Sequence, residues 1–268
     1  MHFLSDLRHV IGFALLMILT PAASAQEAKS AGPVDPTIIE DLVAANRILA
    51  DQGVVDGFGH VSIRHPGNPE RYLMARNIAP ELVTAADILE YDLDSNPIDA
   101  KGQRVFLERF IHGEAYKARK DVNVVIHSHS PSVVPFSISS SPLRPVFHMS
   151  GFLSAGVPNW DIREAAKGPT NMLVSTIALG RSLAETLGAK PVAMLRGHGN
   201  LVVGPNVKIA VYRAVYMEAN ARLQLQAQGL AGALNFLTPE EGQMADETIM
   251  TQVDRPWQLW RKKALAVR

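Results

Sequence analysis

From Thr37 to Gln52 the apolar residues Ile38, Ile39, Leu42, Val43, Ile48 and Leu49 recur at helical spacing, and Gly53 follows as a stop. The pattern predicts an amphipathic first helix. Short strand-like pieces then alternate with turn residues: Gly59 to Arg64, Arg71 to Met74 and Ile88 to Asp92, with His65-Pro66-Gly67-Asn68-Pro69 as the clearest turn, which predicts an antiparallel meander. Phe106 to Lys120 has the pattern of a helix and feeds directly into the apolar strand that starts at Val124. Further on, Ile177 to Leu187 is helical, Pro191 to Leu195 is a strand, and Val207 to Gln228 is a long helix. Thr238-Pro239-Glu240-Glu241 supplies an N-cap, a first-turn proline and an acidic first turn for one more helix. Helices alternating with strands predict a single α/β domain over residues 37–268, with a largely antiparallel central sheet between helical layers.

Two segments precede that domain. Arg8 and His9, the apolar run Val10 to Thr20, and the small-x-small sequence Ala23-Ser24-Ala25 have the form of an export signal over residues 1–25. The run is short for a bilayer span. The expectation is therefore a periplasmic or secreted protein that is not integral to the membrane once cleaved after Ala25. Residues 26–36 are small, polar and proline-containing, the composition of a flexible leader.

Charge and composition narrow the chemistry. The 26 basic and 26 acidic side chains cancel, so nothing advertises nucleic acid or an anionic membrane as partner, and a small molecule fits better. Cysteine is absent, which removes thiolate nucleophiles and cysteine-based zinc sites together. Any metal must rest on histidine and carboxylate.

Candidates for that role lie at two strand ends. In Val124-Val125-Ile126-His127-Ser128-His129 an apolar strand runs into two histidines at i and i+2, which share one face of a strand. A surface pair would look the same. In Leu195-Arg196-Gly197-His198-Gly199-Asn200, a second strand meets a histidine fenced by glycines that permit positive φ and close approach; a tight turn that merely contains histidine is the alternative. Glu108 stands in the mostly apolar stretch ahead of the first pair, as acid/base, metal ligand, or simply a helix glutamate facing His112 at i+4.

Taken in order, Gly59-His60-Val61-Ser62-Ile63-Arg64, Glu108 ahead of VVIHSHS, and RGHGN make the chain similar to the class II aldolase/adducin family. The resemblance implies a three-layer α/β/α fold, a divalent ion held by His127, His129 and His198, and Glu108 as acid/base. It implies zinc first, with manganese, iron or cobalt tolerated by the same imidazoles, and assembly into a homotetramer. The chain departs from the sugar-phosphate aldolases of that family. Gly-Asn becomes Gly59-His60, the Thr-Pro-Ser-Gly phosphate turn becomes Met74-Ala75-Arg76-Asn77, and two serines become Phe106 and Leu107. A phosphate dianion against two large apolar side chains is poorly solvated. Arg76 offers a fork suited to a carboxylate instead, with Ser62 and Asn77 as further substrate contacts. The resemblance is greatest to the decarboxylase branch, which acts on hydroxy-carboxymuconic semialdehyde and dihydroxyphthalate. It implies a lyase that decarboxylates a small hydroxy- or keto-carboxylic acid, with His60 and His148 as further catalytic candidates for returning a proton to carbon. The alternatives are an aldolase acting on a sugar or sugar phosphate, and a non-catalytic metal-binding or adducin-like module.

Overall fold

The computed structural model describes residues 29–266. The expected export signal, residues 1–25, lies outside them, and no helix among the described residues is long and apolar enough to cross a membrane. In chain order the elements are α1 (Pro36–Asp51), β1 (His60–Arg64), β2 (Arg71–Ala75), β3 (Ile88–Asp92), α2 (Phe110–Ala118), β4 (Val124–Ser128) and the single turn α3 (Val134–Ser137). After a 3-10 segment (His148–Ala155) come β5 (Asn159–Trp160), α4 (Ile162–Ala166), α5 (Ile177–Leu187), β6 (Val192–Leu195), β7 (Gly199–Gly204), α6 (Val207–Gln228), α7 (Pro239–Met250) and α8 (Asp254–Leu265).

The seven strands form one sheet in the order β3-β2-β1-β4-β7-β6-β5, antiparallel except for the β5/β6 edge. Strand side chains alternate between faces, so each strand feeds two cores. On one face Val61, Leu73, Val124, Ile126 and Val202 pack beneath α1, α6 and α8. On the other, Tyr72, Val125, Leu201 and Val203 pack beneath α2 and α5. The architecture is therefore α/β/α, as the sequence predicts.

Local chemistry accounts for the boundaries. Asp35 caps α1 by accepting the Thr37 amide at 2.8 Å with Pro36 in the first turn, and Gly53 beyond its end has φ +69°. Thr238 and Glu241 form a reciprocal capping box at the start of α7. Trp257, Trp260 and Tyr212 lie buried in the core.

Two expectations are corrected and one strand is added. The helix predicted from Phe106 begins only at Phe110, because residues 107–109 form a turn that carries Glu108 toward the end of the central strand β4. Gly199 to Gly204, adjoining a glycine-fenced loop, is a full strand that pairs with both β4 and β6. The leader is anchored near its end: the Ser30 hydroxyl and the Ala31 amide both donate to the Glu90 carboxylate on β3.

Candidate metal centre

The two histidine-bearing segments meet because β4 and β7 are neighbours. Their register pairs His127 with Leu201 and Ser128 with Asn200, so the end of β4 lies beside the start of β7. His198 sits in the three-residue turn joining β6 to β7, where Gly197 takes φ +63° and the His198 amide closes the turn onto the Leu195 carbonyl at 3.0 Å. Gly199 is needed for contact of another kind: a Cβ there would stand 2.1 Å from the Ser128 carbonyl oxygen. The two glycines thus have separate duties, one to turn the chain and one to let the strands close.

Glu108, His127, His129 and His198 each offer a ligand atom, and these atoms all lie within 4.8 Å of one another. His129 Nε2 and His198 Nε2 are 3.0 Å apart, and Glu108 Oε2 stands 3.6 Å from His127 Nε2 and 3.5 Å from His198 Nε2. His127 Nδ1 bonds the Asn200 carbonyl at 3.1 Å. A carbonyl only accepts, so the ring proton sits on Nδ1 and the Nε2 lone pair faces the cluster, the orientation a ligating histidine requires. That Nε2 is buried with no hydrogen-bond partner. Three imidazoles and one carboxylate around a common point are the donor set of a divalent transition ion.

The Glu108 carboxylate is also held from outside the cluster. The Val174 amide donates to its Oε1 at 2.9 Å, leaving Oε2 to the histidines. Burial opposes its ionisation, yet the adjacent His127 and His198 hold it well below the usual carboxylate range. His129 is pushed down to about 4, by burial first and then by His127 and His198.

The cluster opens on a cavity of about 420 Å³. His60 lines it, as do Asn77, Phe106, Leu107, Phe58 and Leu173, the last two not foreseen from the sequence. Phe58 and Leu107 are largely exposed at its rim. The other site candidates lie elsewhere. Ser62 is fully buried and hydrogen-bonded to His112 and Tyr116, which removes it from substrate contact. Arg76 lies outside the cavity lining, with its Nε on Asp87 Oδ1 at 2.7 Å, so the expected free fork is committed to an ion pair. His148 is exposed at the start of the 3-10 segment, against Phe147 and away from the cavity. The resemblance makes it a candidate for returning a proton to carbon, but the loop before it runs to the α6 side, where Asn220 accepts the Val146 amide.

Comparison with known proteins agrees with this geometry. The family profile described as the Class II Aldolase and Adducin N-terminal domain matches residues 40–225. Decarboxylase tropJ of Talaromyces stipitatus is 34% identical over 244 residues, covering 83% of this chain and 92% of that protein. A 3,4-dihydroxyphthalate decarboxylase of Arthrobacter keyseri is 32% identical over 214 residues, covering 74% of this chain and 82% of that protein. Among solved structures, an aldolase II superfamily protein from Pseudomonas syringae superposes with a TM-score of 0.72 at 25% identity, over 86% of this chain and 94% of that one.

Proposed function

The chain belongs to the class II aldolase and adducin family, and we propose that it works there as a metal-dependent lyase that decarboxylates a small hydroxy- or keto-carboxylic acid. The observation that carries this reading is the convergence of Glu108, His127, His129 and His198 on a cavity walled by Phe106 and Leu107. The names of the two decarboxylases above favour carbon dioxide over an aldehyde as the group that leaves.

His127, His129 and His198, with Glu108 beside them, would hold the ion, zinc by preference and manganese, iron or cobalt by the same chemistry. A bound divalent ion supplies positive charge against the electron pair left behind when carbon dioxide departs. The protein's own groups do the rest. Phe106 and Leu107 give the cavity an apolar lining that disfavours a phosphate dianion, while Asn77 puts an amide side chain on the cavity wall. Glu108, facing inward through Oε2, accepts the proton of the substrate hydroxyl and returns it to the carbon that lost the carboxylate. The product then leaves as its oxyanion and is reprotonated by water.

The same reading extends to an exported homotetramer. The apolar run Val10 to Thr20 ahead of Ala23-Ser24-Ala25 supports export, and the exposed Phe58 and Leu107 at the cavity rim support coverage by a second subunit. The deciding experiment incubates metal-analysed protein with dihydroxyphthalate and related carboxylated hydroxy- or keto-acids, and separately with a ketose phosphate. Carbon dioxide without aldehyde is the expected outcome. Aldehyde from the phosphosugar would make the protein an aldolase, and one equivalent of tightly held metal with no turnover on either class would make it a binding module.

A further inference from the structure

Behind the cluster, strand β1 and helix α2 face each other with matched spacings. His60 and Ser62 are two apart on a strand, about 7 Å along it, and His112 and Tyr116 are four apart on a helix, about 6 Å along it. The two pairs interleave into one unbroken chain. His60 Nδ1 meets His112 Nε2 at 2.6 Å, His112 Nδ1 meets Ser62 Oγ at 2.6 Å, and Ser62 Oγ meets Tyr116 OH at 2.7 Å. Exposure is 4% at His60 and 0% at the other three.

Each link holds one proton, and a neutral imidazole has one to give, so the direction of the chain is set at its far end. The only other acceptor near the Tyr116 hydroxyl among the described residues is the Asn123 carbonyl, at 3.5 Å, the limit of a hydrogen bond. Tyr116 therefore donates to Ser62, Ser62 donates to His112 Nδ1, and His112 must carry its proton on Nε2 and donate it to His60 Nδ1. That leaves the proton of His60 on Nε2. This nitrogen has no hydrogen-bond partner among the described residues, and the ring lines the cavity beside His127, 5.2 Å away between centroids.

We propose that Tyr116, Ser62 and His112 are positioning residues that lock His60 in its Nε2–H tautomer, making it a neutral hydrogen-bond donor to an anionic oxygen of the carboxylate substrate. His60 then contacts the substrate but does not protonate carbon. Surrendering its proton would end in a buried imidazolate or, after three shifts along the chain, a buried tyrosinate, whose neighbouring cation Arg64 lies over the ring and donates to the Val122, Tyr116 and Arg119 carbonyls rather than to the hydroxyl. The proton for carbon stays with Glu108. The proposal rests on the cavity being the substrate site, but the tautomer it requires is measurable without turnover.

The test uses zinc-loaded protein with ring-labelled 15N histidine, long-range nitrogen–proton correlation, and the His60→Gln spectrum to assign His60. Oxalate, a small planar dianion, serves as the probe for calorimetric titration. The expected result is His60 protonated on Nε2 alone in the wild type. In Tyr116→Phe and in Ser62→Ala, zinc content should be unchanged, the His60 ring should become a mixture of tautomers, and oxalate should bind roughly 10-fold more weakly, the loss expected for one hydrogen bond to a charged group. His60→Phe should lose at least as much, while His60→Gln, which keeps an N–H, should stay nearer the wild type. A wild-type His60 protonated on Nδ1 or on both nitrogens would overturn the proposal whether or not the protein releases carbon dioxide. So would a tautomer and an oxalate affinity that both stay unmoved in Tyr116→Phe and Ser62→Ala.

Discussion

At the scale of single residues, the centre depends on groups that point and groups that make room. His198 is held by the turn of its own hairpin, so His198→Ala removes a donor without disturbing the strand pairing of β4. Metal affinity should fall by more than 100-fold, since even outer-shell changes cost 10- to 100-fold; elemental analysis after dialysis against a weak chelator reads this, and retention of a full equivalent would reject His198 as a ligand. Gly199 is the complementary case. Its missing Cβ lets β7 come within reach of the Ser128 carbonyl, which an added methyl would meet at 2.1 Å. Gly199→Ala should cost about 1–3 kcal/mol of stability, the range for overpacking a filled site, and should weaken metal binding because His129 and His198 flank that contact. Denaturant midpoints with and without zinc separate the two effects.

At the scale of elements, the carboxylate is placed by a helix pair rather than by its own helix. Gly180 on α5 sits so close to α2 that a Cβ there would lie 2.5 Å from the Phe110 carbonyl oxygen. Val174, shortly before α5, donates the amide that fixes Glu108, shortly before α2. Gly180→Ala should therefore both destabilise the fold, by about 1–3 kcal/mol, and reduce turnover more than metal content, a combination readable from urea titration beside steady-state rates on metal-loaded protein. Equal activity per bound metal would show that Glu108 is set by the cluster alone. The same pair shows what the sequence does and does not disclose. Elements with clean periodicity or caps, such as α1, α5, α6 and the Thr238 box, can be read from the chain because local hydrophobic spacing and capping chemistry determine them. The candidate ligands can be read as well, since HxH on an apolar strand and a glycine-fenced histidine are local patterns. What hides is set by partners distant in sequence: the late start of α2, the strand status of the glycine-bounded Gly199 to Gly204, and the fates of Ser62, Arg76 and His148. Arg76 is a carboxylate-binding fork on paper and an ion pair in the fold only because Asp87 stands in the next strand's approach. The His112 and Tyr116 spacing on α2 was visible, but its meaning required knowing that β1 lies beneath it.

At the scale of the whole molecule, burying so many imidazoles makes stability a function of acidity. His112 is held down to about 3, by burial first and then by the nearby His127. Burial likewise lowers His60, and His129 sits at about 4. A free histidine takes up its proton near 6.5, so between roughly pH 6.5 and 3 the unfolded chain binds more protons than the folded one. Unfolding free energy then falls as pH falls through that window and is flat with respect to these groups above it. At pH 4 the contribution of His112 alone is roughly 3 kcal/mol, about 1.4 kcal/mol for each pH unit below 6.5. Metal binding acts in the same direction because protons compete for the same nitrogens, so the measurement belongs on chelator-treated protein. Urea midpoints at pH 7, 6, 5 and 4 should decline progressively below 6.5, with a slope of up to three protons. His112→Gln should remove about one proton from that slope even though it also lowers the plateau. A profile that is level down to pH 4 would mean the three rings take up protons as readily in the folded chain as in the unfolded one, against the burial that lowers each of them.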